Sequence, residues 1–79
     1  MTVNEAVAKR VRELMAKQNL TQYALEKRCA MSHGRLCGVL QNVNKTVTLS
    51  TVILLAQGFG ISLHEFLDNK FDYDKLEVE

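Results

Sequence analysis

The chain has 79 residues, 47% of them hydrophobic, with no proline and a formal net charge of +1. This length supports a single hydrophobic core and therefore one domain. The longest purely apolar run, residues 52–56, falls far short of the roughly 20 residues that a membrane span needs. No apolar segment typical of a secretory signal follows the N-terminus. We therefore expect a soluble, cytoplasmic protein, rich in helix because no proline interrupts it.

The N-terminal segment predicts a first helix. Thr2 and Glu5 have the spacing of a capping box, in which each side chain binds the other residue's backbone N–H. Apolar residues recur at helical spacing and form the expected inner face: Val3, Val7, Val11, Leu14 and Met15. Charged residues between them are expected on the other faces: Lys9, Arg10, Arg12 and Glu13. Asn19 tolerates a left-handed conformation and should end the helix.

Two short helices follow, joined by residues 30–32. Thr21 is a suitable N-cap for a helix over residues 22–29, whose inner face carries Leu25 and Cys29. Ser32 is a suitable N-cap for a third helix, with three residues facing inward: Leu36, Val39 and Leu40. A short helix, a tight turn and a second short helix form the helix-turn-helix arrangement.

Two further helices are predicted after a polar loop at residues 42–47. Thr48 is the expected N-cap of the fourth, whose core stripe is Leu49, Val52, Leu55, Ala56 and Phe59. At least one of Ile53 and Leu54 should then face outward. Gly60 ends this helix, and Ser62 with Glu65 predicts a second capping box. The short fifth helix that it opens carries Leu63, Phe66 and Leu67.

In order and spacing, residues 5–67 resemble the Cro and phage-repressor family, which has the lambda-repressor-like fold. The clearest matches are residues 20–22, Leu25, Ser32, Leu36, residues 48–52 and residues 55–67. The resemblance implies an all-α, five-helix lambda-repressor-like helix-turn-helix domain over residues 1–69, with a short acidic C-terminal tail over 70–79. Residues 1–69 carry a net charge of +3 and the tail −2. We expect the tail to be strand-like or disordered.

The chain departs from the family pattern at three places. Glu26 stands where relatives usually have alanine. Ala30 replaces the usual turn glycine, so the turn must accept a Cβ at some strain cost. An ion pair of many relatives is replaced by the apolar Met15 and Leu40, a change that leaves no charge desolvated.

In this family the third helix enters the major groove and the second crosses the phosphates. The resemblance therefore implies a base-reading face made of His33, Gly34, Cys37 and Gly38. It implies phosphate contacts from Thr21, Gln22, Arg35, Gln41, Asn44 and Lys45. We expect homodimerisation through Ile53, Leu54, Phe71 and Tyr73, since one recognition helix covers few bases.

The base-reading face is bare, because its two glycines offer no hydrogen bond to a base. Readout would then depend on close backbone approach, thymine methyl groups and DNA shape. The favoured function is a sequence-specific DNA-binding transcriptional regulator, such as a repressor. The alternative is a protein-interaction module, antitoxin-like, whose helix-turn-helix reads DNA weakly or has lost DNA binding.

Other kinds of site find little support. A metal site formed by Cys29, Cys37, His33 and His64 lacks the close ligand spacing of zinc proteins. Cys29 is more simply a small core residue and Cys37 a surface or groove residue. No catalytic triad, carboxylate pair or phosphate-binding loop is visible, so we expect no enzyme activity, no metal and no cofactor.

Overall fold

The structure is a computed structural model that describes residues 2–41 and 47–67. Its described residues form an all-α arrangement of five helices. In chain order these are α1 (Val3–Gln18), α2 (Gln22–Cys29), α3 (His33–Leu40), α4 (Leu49–Phe59) and α5 (Leu63–Leu67). All five predicted helices are present. The predicted loop up to residue 46 and the acidic tail lie outside the described residues.

Side-chain caps set the helix boundaries as the sequence predicted. At the start of α1, Glu5 N–H donates to Thr2 Oγ1 (3.1 Å) and Thr2 N–H donates to Glu5 Oε1 (3.0 Å). Thr21, Ser32 and Thr48 each accept one N–H in the first turn of the helix that follows. Each such cap stabilises its helix by about 1 kcal/mol.

Left-handed residues end three of the helices. Asn19 closes α1 with φ 57°, Ala30 closes α2 with φ 54° and Gly60 closes α4 with φ 73°. Asparagine and glycine adopt this conformation readily, whereas alanine strains to do so. The predicted Cβ at the α2–α3 turn is thus accommodated at a backbone angle that glycine would take more easily.

The core lies between the helices: α4 packs against α1, α2 and α5, and α3 packs against α1 and α2. The most completely buried large side chains come from all five helices: Phe66, Leu25, Leu36, Leu55, Val7 and Val11. Burying one such side chain contributes about 1.5–3 kcal/mol. Packing joins α2 to α4 and α1 to α3, so the two short helices α2 and α3 rest on the two longest helices.

Two burial predictions for α1 and α4 were wrong. Leu49, expected in the core stripe of α4, is 63% exposed, because the first turn of that helix presents Thr51 to the core instead. Arg10, expected on an outer face of α1, is only 8% exposed. Its guanidinium donates from Nε to the Phe66 carbonyl (2.8 Å) and from Nη2 to the Glu65 carbonyl (3.0 Å), which satisfies its polar groups.

Candidate nucleic-acid interface

The turn between α2 and α3 fixes how far α3 projects. Met31 N–H donates to the Glu26 carbonyl (3.1 Å), and the Met31 side chain is buried in the core. Ser32 then caps α3 through the Arg35 N–H (3.2 Å). A buried anchor on one side of the turn and a cap on the other hold the start of α3 in one orientation.

The first turn of α3 faces outward and its later turns are largely buried. His33, Gly34 and Arg35 are exposed, whereas Leu36 is fully buried. A side chain added at Gly34 would meet nothing within 4 Å. The free surface of the helix is therefore concentrated at its N-terminal end.

Further along α3, the predicted base-reading face divides. Cys37 is half-buried and Gln41, the residue that ends the helix, is exposed. Gly38 is buried, so the expectation that it faces outward was wrong. It has no side chain to project, and its backbone lies below the surface formed by its neighbours. Of the four predicted base-reading residues, His33 and Gly34 are exposed and Cys37 partly so.

His33 belongs to a polar cluster that links α2 to α3. Its Nδ1 lies 2.6 Å from Glu26 Oε2, and the same oxygen accepts from Gln22 Nε2 at 3.2 Å. Gln22 Nε2 also lies 3.5 Å from Cys37 Sγ. On the other edge of the imidazole, Nε2 is 3.8 Å from Cys37 Sγ, and Gln41 Nε2 is 3.6 Å from that sulfur. The predicted base-reading and phosphate-contacting residues of this region thus touch one another.

Arg35 connects α3 to the start of α4. Its Nη2 donates to Thr51 Oγ1 (2.9 Å), and that hydroxyl also lies 3.1 Å from Thr48 Oγ1, the cap of α4. Arg35 is nevertheless exposed. The guanidinium is therefore held beside the N-terminus of α4 with donors left over, a position in which it can bind an anion together with free helix N–H groups.

Other predicted site residues are distributed as follows. Thr21 is exposed, but its hydroxyl accepts the Ala24 N–H (3.1 Å) as the cap of α2. Asn44, Lys45, Phe71 and Tyr73 lie outside the described residues.

The predicted dimer surface on α4 is partly apolar. Ile53 is 36% exposed and Leu54 is half-buried, which confirms that at least one of them faces outward. Leu49 lies four residues before Ile53 and hence on the same side of the helix. We call Leu49 and Ile53 the α4 apolar pair. The sequence prediction did not include Leu49 in this surface, because its helical spacing alone places it in the core stripe.

Glu26 is the other residue that sequence reasoning did not assign to the site. The departure from the family pattern at this position was the available signal, but it gave no partner. Glu26 and His33 are seven residues apart and on different helices, so only the angle between α2 and α3 brings them together.

The two cysteines differ in their surroundings. Cys29 is buried between α2 and α4, as predicted, and burial raises the pKa of its thiol because the thiolate would lose its hydration. Both cysteines are free thiols. Cys37, expected to be a surface or groove residue, is half-buried in the polar cluster.

Among residues 2–41 and 47–67, no group of three or more His, Cys, Asp and Glu side chains could hold a metal ion. No helix in the same ranges is long and apolar enough to cross a membrane. No known protein family, curated protein or solved structure matches the chain.

Proposed function

We propose that this protein is a sequence-specific DNA-binding transcriptional regulator with a lambda-repressor-like helix-turn-helix, in which α3 enters the major groove. One observation carries the proposal: α2 and α3 are two capped eight-residue helices across a tight turn, and the first turn of α3 is exposed. Helix-turn-helix proteins contact base edges with the N-terminal residues of the second helix. His33 and Gly34 occupy those positions here.

The surrounding groups suit a phosphate backbone. Thr21 and Gln22 begin α2, where backbone N–H groups and the helix dipole favour an anion. Arg35 is exposed and held beside the start of α4. A net charge of +3 over residues 1–69 adds a mild attraction for DNA.

The active form in this proposal is a homodimer. One recognition helix covers too few bases for useful specificity, and two-fold symmetric half-sites lie about 34 Å apart. The α4 apolar pair, together with the half-buried Leu54, supplies an apolar surface for such a contact.

A test begins with selection of duplexes from a randomised pool, followed by a salt titration of the best one. If a dimer neutralises about 6 phosphates, the slope of log K against log salt should be about −5. Arg35→Ala should weaken selected and random duplexes by the same factor, because phosphate contacts carry no sequence information. Lys9→Ala, at an exposed position of α1, is the matched charge control and should change binding less.

The second candidate is a protein-interaction module, antitoxin-like, on the same fold. The exposed α4 apolar pair favours it, as does the carboxylate of Glu26 among the residues proposed to face DNA. Failure to enrich any duplex at low salt, or a flat salt dependence, would select this alternative and reject the first.

A further inference from the structure

Glu26 and His33 form the one carboxylate–imidazole contact between side chains of the described residues. The two side chains differ greatly in exposure: 73% of the His33 side chain is accessible and only 12% of the Glu26 side chain. Glu26 therefore lies beneath His33, at the base of the surface that the proposed function turns toward DNA. A shielded carboxylate with two donors, one of them the imidazole, fixes the direction in which that ring points.

This contact also decides which ring nitrogen carries the proton in neutral His33. An ionised carboxylate can only accept, so the Nδ1 atom at 2.6 Å must be the donor. Gln22 Nε2 lies 3.5 Å from the same nitrogen, much farther than the carboxylate, and donates to Glu26 instead. Neutral imidazole has one N–H only, so Nε2 is left as an acceptor. The nearest described partner of Nε2 is the Cys37 thiol at 3.8 Å, a weak donor.

We infer that Glu26 is a positioning residue that sets the base preference of His33 by fixing its tautomer. The inference rests on the proposed function. With Nε2 as acceptor, neutral His33 selects a base that offers a donor in the major groove. Those donors are the N6 amino group of adenine and the N4 amino group of cytosine. Guanine presents only acceptors at N7 and O6 along this edge and is disfavoured at the position that His33 reads.

Glu26→Gln is the sharpest perturbation, because it keeps the shape of the side chain and removes the obligate acceptor. The amide can donate to Nδ1, and the ring is then free to carry its proton on Nε2. His33 becomes a donor toward DNA, so cytosine should lose its advantage and guanine, whose N7 and O6 both accept, should gain it. Adenine also has an acceptor at N7 and should change less. The change involves one hydrogen bond and should alter the relative affinity for the two kinds of base by about five- to tenfold.

The tautomer can be measured without DNA. Two-dimensional NMR of the ¹⁵N-labelled full chain, at a pH where the ring titration in the same spectra is complete, separates protonated from unprotonated ring nitrogens. His33→Ala assigns the His33 signals against those of His64. We expect Nδ1–H in the wild type and an increased Nε2–H population in Glu26→Gln. Nε2–H as the main wild-type form, or the same tautomer in both proteins, would overturn the inference.

The DNA arm uses a randomised duplex pool at the same pH, with wild type, Glu26→Gln, His33→Ala and the double variant. At one position of each half-site, Glu26→Gln should exchange cytosine for guanine, or weaken a preference for adenine over guanine. The double variant should select the same bases as His33→Ala alone. Glu13→Gln, which removes an exposed carboxylate from α1, is the charge control and should leave the preferred bases unchanged.

These outcomes distinguish a failure of the inference from a failure of the proposed function on which it rests. If wild type enriches a sequence and Glu26→Gln enriches the same one, the inference fails and DNA binding stands. If Glu26→Gln alters base preference equally with and without His33, Glu26 acts directly and the inference again fails. If wild type enriches no duplex, the proposed function and the base preference both fail, whatever the NMR spectra show.

Discussion

Gly58 lies where α4 approaches α2 most closely, and replacing it tests that packing. A Cβ built on Gly58 would overlap the Cys29 sulfur. It would also lie 3.2 Å from the Cys29 backbone nitrogen and 3.3 Å from its Cα. The sulfur is buried and the other two atoms belong to the backbone, so relief requires α2 and α4 to move apart.

Two effects of opposite sign set the size of the change in Gly58→Ala. Replacing glycine by alanine inside a helix favours folding by about 1 kcal/mol. Forcing a methyl group into a filled core costs about 1–3 kcal/mol, and contacts with backbone atoms on a neighbouring helix place this site at the upper end of that range. We expect the free energy of unfolding to fall by about 2 kcal/mol. In a domain of this size the melting temperature would drop by about 10 °C.

Urea unfolding followed by circular dichroism measures the change. Gly34→Ala is the matched control: it is the same substitution in another helix with no atom within 4 Å, and it should raise stability by up to about 1 kcal/mol. In a Cys29→Ala background the sulfur is gone, so the loss caused by Gly58→Ala should shrink. A Gly58→Ala protein as stable as wild type would refute the close approach of α2 and α4. An equal loss in both backgrounds would refute the role of the thiol.

Four other changes should give measurable results. Arg10→Met leaves two carbonyls of α5 without their donors and should cost about 2–4 kcal/mol in urea unfolding; a loss below 1 kcal/mol would contradict the buried bonds. Ala30→Gly relieves a φ of 54° and should raise the melting temperature, by about 4–8 °C for 1 kcal/mol of strain. Hydrogen bonds from the Thr2 backbone N–H, and next from its hydroxyl, lower the pKa of Glu5. The stabilisation that Glu5 gains over Glu5→Gln should therefore hold above about pH 4.5 and vanish as the pH falls through the lower folded-state pKa; a constant difference in melting temperature would refute it. Ile53→Glu should shift sedimentation of the full chain from dimer to monomer in the tens-of-micromolar range, and a wild type that is already monomeric there would remove this surface from the dimer.

Local signals in the sequence were enough to predict the helices and their ends. Caps such as Thr21 and Ser32 accept hydrogen bonds from N–H groups three residues later. Both partners therefore lie within one short stretch of sequence, and the residue types alone predict the bond. The same holds for Asn19 and Gly60, whose left-handed angles are ones that asparagine and glycine adopt readily. Apolar residues at helical spacing in α1 and α3 also turned inward as predicted.

Prediction failed where burial depends on how the helices are placed. Leu49 has the spacing of a core residue, yet its side of the first turn of α4 is exposed, while Thr51 in the same turn is buried. Arg10 is of a residue type usually found on the surface, but it contacts the carbonyls of α5. One of these, the Glu65 carbonyl, is 55 residues later in the chain. Gly38 shows the same limit on the candidate site, since helical periodicity placed it outward. The Glu26–His33 contact could not be predicted, because it depends on the angle between α2 and α3, which the pattern of residue types does not determine.

Helix α1 binds the C-terminal ends of three other helices through its side chains. Two of these side chains are arginines, so their role bears on which charges of the domain are available to contact DNA. The side chains of α1 donate to carbonyls at the C-terminal ends of three other helices: Arg12 to Leu40 of α3, Gln18 to Phe59 of α4 and Arg10 to Phe66 of α5. Helix C-termini carry partial negative charge, so these bonds are favourable. Carbonyls are neutral, however, and leave the charges of Arg10 and Arg12 uncompensated.

In the proposed DNA complex those two charges would attract DNA only through the field of the protein, which salt screens over about 8 Å at physiological ionic strength. A steep salt dependence comes instead from cations that reach phosphates and release counterions. Arg10 is buried and cannot take that role, whereas Arg12 is exposed but has one donor on the Leu40 carbonyl at the end of α3. The net charge of residues 1–69 therefore overstates the number of cations that can contact phosphates directly. The expected slope of about −5 for a dimer corresponds to about three neutralised phosphates per protomer. That number, with Arg35 among the contacts, agrees better with this arrangement than a count of all the cations in residues 1–69.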